Sequence, residues 1–151
     1  MTEGFAPAHI ERSGMVRVAA AVREAFYYFT PDGERLWVPG WSPEYLHPHD
    51  GAQCEGAVFR TRAGGEDTLW MITRLAPETG EAEYVRVTPD SRMGTVSIRC
   101  APEDPTATTV HVTYRLTALS AGGNHVLEAF GRDFDAMMSE WAAAVSGVLE
   151  R

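Results

Sequence analysis

Residues 106–150, TATTVHVTYRLTALSAGGNHVLEAFGRDFDAMMSEWAAAVSGVLE, decide the fold, because they join the most regular alternation in the chain to its longest amphipathic pattern. In the run Thr106–Ala118, the residues Val110, Val112, Tyr114 and Leu116 share one parity, and the positions between them are polar or charged. This alternation predicts a β-strand with one face in the core and the other in water.

The second part of this stretch predicts one long amphipathic helix that continues to about Glu150. Turn-forming residues at 120–124 separate it from the strand. At ~100° per residue, its large apolar side chains fall within an arc of roughly 120°. They are Leu127, Phe130, Phe134, Met137, Met138, Trp141, Val145, Val148 and Leu149. Most of the charged residues fall outside the arc, so we expect this helix to lie with one face against a sheet.

Four more runs rich in β-branched and aromatic residues precede that strand. They are Ala57–Arg62, Thr68–Leu75, Ala82–Thr88 and Met93–Cys100. The connections between the five runs are short and consist of turn-forming residues. Because a parallel pair of strands needs a long crossover, these connections predict an antiparallel meander of five strands. The inner face of the run Thr68–Leu75 stays open, because large apolar residues occupy both of its parities.

The N-terminal part predicts a sixth strand, two short helices and a loop. His9–Val18 has the pattern of a strand, and apolar residues at 22, 26 and 29 recur at helical spacing. Thr30 and Pro31 predict the start of a second short helix, which ends near Trp37, because Thr is a good N-cap and Pro fits the first helical position. The segment Val38–Glu55 has three prolines, two glycines and no clear period, which predicts a long loop.

Lysine is absent from the chain: its 13 basic residues are all arginines, against 21 acids and a formal net charge of −8. This composition excludes catalysis through a lysine Schiff base and the lysine of a phosphate-binding P-loop. The acidic balance disfavours nucleic acid and anionic membrane surfaces as partners. No signal-peptide pattern and no apolar run of ~20 residues is visible, so membrane insertion is not predicted. We therefore expect a single cytoplasmic domain over residues 1–151, as a monomer or a homodimer.

Local motifs and the order of the elements together point to a family. The motifs are the helix, tryptophan and proline region from Phe26 to Trp41, Gly56-Ala57-Val58-Phe59-Arg60-Thr61, Leu69-Trp70, and Tyr114-Arg115-Leu116-Thr117 followed by Gly122-Gly123. With these motifs the chain resembles the START-like, Bet v 1-like (SRPBCC) superfamily, and most of all its bacterial polyketide cyclase/dehydrase and lipid-transport branch. The resemblance implies an α+β helix-grip fold, in which a curved antiparallel sheet of about six strands wraps around the long C-terminal helix, with two short helices after the first strand.

The same resemblance implies a cavity between the sheet and the terminal helix that takes an apolar or aromatic small molecule. The candidate ligand-binding residues are Trp37, Trp41, Tyr45, Phe59, Trp70, Tyr114, Phe130, Phe134, Met137 and Trp141. Trp37, Trp41 and Tyr45 are expected at the cavity mouth, where they would either gate a ligand or cap the core. The residues on the terminal helix would either fill the core or contact the ligand. Tyr114 has the apolar parity of its strand, which favours a hydroxyl group inside the pocket.

The segment His47-Pro48-His49-Asp50 carries the residues best suited to proton transfer. His47 could reach the cavity mouth as a general acid or base, because imidazole exchanges protons near neutral pH. The candidate catalytic residues are His47, Glu44 and Tyr114. The two histidines and Cys54 match no metal-ligand signature, so neither a metal nor another cofactor is predicted.

Three arginines lie on predicted strands, and one that faced inward would anchor a carboxylate or phenolate in a bidentate pair. They are Arg86, Arg99 and Arg115. Arg99 and Arg115 have the polar parity of their strands, which predicts that both lie outside. The direction of Arg86 stays open.

Three functions remain possible at this point. The first is binding of a hydrophobic or aromatic small molecule in the internal cavity. The second is an enzyme, a cyclase/dehydratase-like lyase that transfers protons in that cavity without a metal or nucleotide cofactor. The third is a protein-binding module of the co-chaperone type, which would be favoured by a filled interior and an exposed patch at Trp37 and Trp41.

Overall fold

The computed structural model describes residues 5–151, which form a seven-stranded antiparallel sheet, two short helices and one long helix. The strands are β1 (His9–Val18), β2 (Glu44–His47), β3 (Val58–Thr61), β4 (Thr68–Ala76), β5 (Glu81–Thr88), β6 (Arg92–Asp104) and β7 (Ala107–Ala118). The helices are α1 (Val22–Tyr27), α2 (Pro31–Glu34) and α3 (Ala121–Leu149). The strand order β1-β7-β6-β5-β4-β3-β2 is a meander that β1 closes by pairing with β7. This confirms the predicted helix-grip arrangement.

The sheet has one strand more than predicted, because β2 lies within the segment expected to be a loop. β2 has only four residues, and Pro43 and Pro48 flank it directly. It pairs with β3 alone and forms the end of the sheet. Short strands bounded by proline are typical of sheet edges, where one row of backbone groups needs no strand partner. A segment this short shows no period in the sequence.

The sheet has the alternating burial that the sequence predicts for its last strand. In β7, Val110, Val112 and Leu116 are at most 1% exposed, and Arg115 on the other parity is exposed. The structure also settles the face that the sequence left open in β4. Ile72 is fully buried and Leu69 is 39% exposed, so the parity of Trp70 and Ile72 faces inward.

Helix α3 packs along the inner face of the sheet and begins at the N-cap Ser120, whose side chain accepts a hydrogen bond from the Gly123 N–H. Its buried residues include Leu127, Phe134 and Val145, on the apolar face that the sequence predicts. Three irregularities, in the pairings β2–β3, β4–β5 and β6–β7, interrupt the strand register. Such bulges bend a strand and let the sheet curve around the helix. Among residues 5–151, no helix is long and apolar enough to cross a membrane.

Gly14 on β1 sets how closely α3 approaches the sheet. A Cβ atom at this position would lie 2.8 Å from Met138 Cγ and 3.0 Å from Phe134 Cε2. A side chain here would force Met138 and Phe134 to shift, so glycine lets α3 pack on β1 at its present distance. The helix therefore grips the sheet at β1 and β7, and the space opposite β3 to β6 is left less completely filled.

Candidate functional site

A cavity of about 240 Å³ occupies this space between the sheet and α3. An engineered cavity of ~150 Å³ in another protein is large enough for benzene, so this one has room for a substituted ring or two fused rings. The lining residues come from the α2 region, the inner face of β3 to β7 and one position on α3. They are Pro31, Glu34, Val38, Trp41, Phe59, Thr61, Ala63, Glu66, Thr68, Trp70, Tyr84, Arg86, Arg92, Val96, Ile98, Tyr114 and Trp141.

One wall of the cavity is a cluster of three aromatic rings. Phe59 and Trp70 are stacked, with ring centroids 5.8 Å apart and planes at 2°. Trp41 meets Trp70 edge-on at 5.6 Å. The indole N–H of Trp41 donates to the Pro31 carbonyl (2.8 Å), and that of Trp70 donates to Thr61 Oγ1 (3.0 Å). Because both indole donors are already used, Trp41 and Trp70 present apolar ring surface to the cavity, and Phe59, which is only 1% exposed, supports them.

The opposite wall is formed by Tyr114 on β7 and Trp141 on α3, with ring centroids 6.4 Å apart. Trp141 also contacts Trp37 and Phe29, at centroid distances of 5.4 and 6.3 Å. The Tyr114 hydroxyl takes part in no hydrogen bond among the described residues. Burial raises the pKa of Tyr114, so its hydroxyl group stays protonated and can donate to a ligand.

Glu34 brings a carboxyl group into the cavity from the last position of α2. The helix is started by Thr30, whose Oγ1 accepts from the Gly33 N–H (3.2 Å), and by Pro31 at the first helical position. Burial raises the pKa of Glu34 to about 8. The residue is half-buried and lines the cavity. A carboxyl group with this pKa is mostly protonated at neutral pH and can give up or take a proton there.

Arg86 brings a guanidinium group into the same cavity from β5. Its Cζ lies 4.9 Å from the ring centroid of Trp70, and its Nη2 donates to Thr88 Oγ1 at 3.0 Å. Its buried Nε has no hydrogen-bond partner among residues 5–151. Burial lowers the pKa of Arg86 to about 10, which leaves the group positively charged at neutral pH.

An ion pair lies where the cavity reaches the surface. The Arg92 guanidinium donates two hydrogen bonds to the Glu66 carboxylate, at 2.9 and 3.0 Å. Hydrogen bonding from Arg92 lowers the pKa of Glu66. Ala63, in the turn between β3 and β4, also lines the cavity and is exposed. The opening therefore lies between this turn and the start of β6.

Half of the predicted ligand-binding residues line the cavity; these are Trp41, Phe59, Trp70, Tyr114 and Trp141. The other five pack behind the wall or along α3; these are Trp37, Tyr45, Phe130, Phe134 and Met137. Trp37 is 7% exposed, and its Nε1 donates to the Tyr28 carbonyl at 2.6 Å. With Trp37 buried and a cavity present, the features that would favour a protein-docking patch at Trp37 and Trp41 are not found.

Two of the predicted catalytic residues do not reach the cavity. His47 and Glu44 are exposed on β2, and neither lines the cavity. Glu44 pairs with Arg60 on β3 at 2.7 Å. Glu44 is exposed because side chains alternate along β2: the ring of Tyr45 packs on Phe59, so Glu44 faces the other side of the sheet. Between Tyr45 and His47 the register with β3 shifts, which interrupts this alternation. Of the three candidates, only Tyr114 faces the cavity. Among residues 5–151, no group of three or more side chains is placed to hold a metal ion.

Glu34 is the residue of this site that sequence reasoning missed. It lies four residues after Thr30, three before Trp37 and four before Val38, so it shares a helical face with apolar and buried residues. An acid on such a face was the available signal. Arg86 had a similar signal, because it shares the parity of Tyr84, whose hydroxyl is buried and donates to the Phe29 carbonyl at 3.0 Å.

Comparison with known proteins gives a match in structure and not in sequence. No protein-family model matches the chain, and no curated protein matches it significantly. Norcoclaurine synthase from Thalictrum flavum superposes with a TM-score of 0.68 at 11% identity, over 96% of this chain and 88% of that one.

Two bacterial structures superpose over similar lengths. The Zhui aromatase/cyclase from Streptomyces sp. R1128 has a TM-score of 0.64 at 18% identity, over 97% of this chain and 95% of that one. A START superfamily protein from Mycobacterium smegmatis has a TM-score of 0.66 at 16% identity, over 93% and 99%. At these identities the likeness establishes the fold. The chain therefore shares the helix-grip fold of these three structures, one of which is described as a START superfamily protein.

Proposed function

We propose that this protein binds a small aromatic molecule in the cavity between the sheet and α3. The observation that carries the proposal is the combination of flat aromatic walls with polar groups that the protein leaves without full partners. Trp41, Phe59 and Trp70 supply the walls, and Tyr114 and Arg86 supply such polar groups. Ligand pockets are built in this way, with apolar surface for affinity and a few polar groups for orientation.

Two measurements test the proposal. Native mass spectrometry of freshly purified protein should show a copurified small molecule. Thermal unfolding with a panel of one-ring and two-ring aromatic compounds should show a rise in melting temperature for those that bind, because a ligand that binds only the folded state stabilises it. No copurified molecule together with no shift for any compound would contradict the proposal.

A cavity-filling variant gives the control. Val96 is 5% exposed and lines the cavity, so Val96→Phe should fill the space and abolish the ligand-induced shift. Leu69→Phe enlarges an exposed side chain on the outer face of the same sheet and should leave the shift unchanged. Equal shifts in both variants would place binding outside the cavity.

A second candidate function is proton-transfer catalysis of the cyclase/dehydratase type, and Glu34 is the observation that favours it. A general acid or base works best when its pKa lies near the working pH, and burial brings the pKa of Glu34 to about 8. One of the structures with this fold is itself an aromatase/cyclase. Once a substrate is found, Glu34→Gln should reduce turnover at least a hundredfold while binding persists. Turnover that survives this substitution would exclude Glu34 as the proton-transfer group.

A further inference from the structure

The cavity holds a positive charge, that of Arg86, with which no carboxylate of the described residues forms a direct ion pair; Glu66 acts on it only at longer range and is itself paired with Arg92. Four residues with acidic or basic side chains line it: Glu34, Glu66, Arg86 and Arg92. Glu66 and Arg92 neutralise one another at the opening, 2.9 Å apart. Glu34 holds its proton at neutral pH, because burial raises its pKa to about 8. The positive charge of Arg86 is the remainder.

Arg86 differs in this respect from most other arginines of the protein. Eight others lie within 2.7–3.7 Å of a carboxylate oxygen; these are Arg17, Arg35, Arg60, Arg62, Arg74, Arg92, Arg115 and Arg132. Arg86 takes part in none of these ion pairs, although the chain has 21 acids. Its contacts are a neutral hydroxyl and the face of Trp70, and its Nε is without a partner among residues 5–151.

An unpaired charge withdrawn from water is costly for a folded protein, because neither solvent nor a counter-ion stabilises it. Here the guanidinium also faces the space that a ligand would fill. A bound anion would supply the missing charge at the side of the guanidinium group that lines the cavity.

We propose that the ligand of this cavity is an aromatic monocarboxylate, whose ring packs among Trp41, Phe59 and Trp70 and whose carboxylate pairs with Arg86. This inference rests on the proposed binding function and specifies its ligand class. A guanidinium fork matches the two oxygens of a carboxylate. The Tyr114 hydroxyl and the protonated Glu34 carboxyl are further donors in the same cavity.

The alternatives fit the cavity less well. A phenol stays neutral at pH 7, because its pKa is about 10, and would leave Arg86 uncompensated. A phosphate ester carries close to two negative charges at pH 7, and the cavity has one unpaired cation to meet them. The volume of about 240 Å³ accommodates one or two rings.

Matched ligand pairs test the inference. The pairs are benzoate with benzamide and 2-naphthoate with 2-naphthamide. The two members of a pair have nearly the same shape, but only the carboxylate is charged at pH 7. Titration calorimetry at pH 7 should identify which of the two carboxylates binds the wild-type protein more tightly. We expect that carboxylate to bind at least tenfold more tightly than the corresponding amide. Arg86→Gln should remove this preference. Arg99→Gln makes the same change of charge at an exposed position on β6 and should keep the preference.

The outcomes separate the two proposals. If neither member of either pair binds, and the wider aromatic panel also fails, the proposed binding function itself is wrong. If the amides bind as well as the carboxylates in the wild-type protein, the binding function stands and the anionic ligand class is overturned. If a preference for carboxylates survives in folded Arg86→Gln, the assignment to Arg86 is overturned. If Arg86→Gln does not fold, Arg86→Lys is the second variant, because it keeps the charge without the planar fork. A weakened preference for carboxylates in this variant supports the pairing with Arg86. An unchanged preference overturns it.

Discussion

Replacing Glu34 with glutamine is expected to stabilise the protein, by an amount that grows from about pH 4.5 to pH 8 and is constant above. In the unfolded chain Glu34 ionises at its ordinary pKa of 4.5, and in the folded protein burial raises that pKa to about 8. Between these values the unfolded state has already lost a proton that the folded state keeps. The free energy of unfolding of the wild-type protein therefore falls as pH rises through this window.

Glutamine has nearly the same shape and does not ionise, so it lacks this penalty. The difference between the two proteins should reach a few kcal/mol at pH 8 as an upper bound, since each unit of pKa shift corresponds to about 1.4 kcal/mol. Urea unfolding at pH 4.5, 6, 7 and 8.5 measures it, because all other titrating groups cancel in the difference. Glu128→Gln, on the exposed face of α3, is the control and should show no such trend. A pH-independent effect of Glu34→Gln would mean that the carboxyl group is not withdrawn from water.

Replacing Trp141 with alanine is expected to destabilise the protein by about 3–4 kcal/mol and to enlarge the range of ligands that it accepts. The Trp141 ring separates the cavity from the core, through its contacts with Trp37, Phe29 and Tyr114. Removing it adds the volume of an indole to the existing space. Compounds with a further ring should then raise the melting temperature more than they do for the wild-type protein.

Phe134→Ala is the matched control for this prediction. Phe134 lies two helical turns earlier on α3, is 2% exposed and contacts Tyr114, but it does not line the cavity. Its loss should cost a similar free energy of unfolding without admitting larger ligands. If both variants show the same ligand range, the cavity is not bounded by Trp141.

The long, regular elements of this fold could be predicted because each repeats its pattern many times. β7 has twelve residues and α3 has twenty-nine, so single exceptions do not hide the period. β2 could not be predicted, because four residues between two prolines give one alternation at most. Its existence depends on pairing with β3, which is a tertiary contact that a local pattern does not encode.

The apolar part of the candidate site could be predicted better than its charged part. Large aromatic residues on the inner parity of a strand, such as Phe59 and Tyr114, face the interior because burying their apolar surface is favourable. Charged residues are expected to face water, so the sequence does not single out Glu34 and leaves the direction of Arg86 open until the cavity that encloses them is known. His47 shows the converse error: its side chain has suitable chemistry, but its position on an edge strand leaves it in solvent.

Gly14 links the packing of α3 to the shape of the cavity, although it does not line the cavity itself. A methyl group at this position would meet the side chains of Met138 and Phe134, which would have to shift to make room. If the helix backbone moved with them, Trp141 on the same helix would move as well, and with it one wall of the cavity. Residue 14 is therefore a position from which the cavity wall can be altered without replacing any residue that lines it.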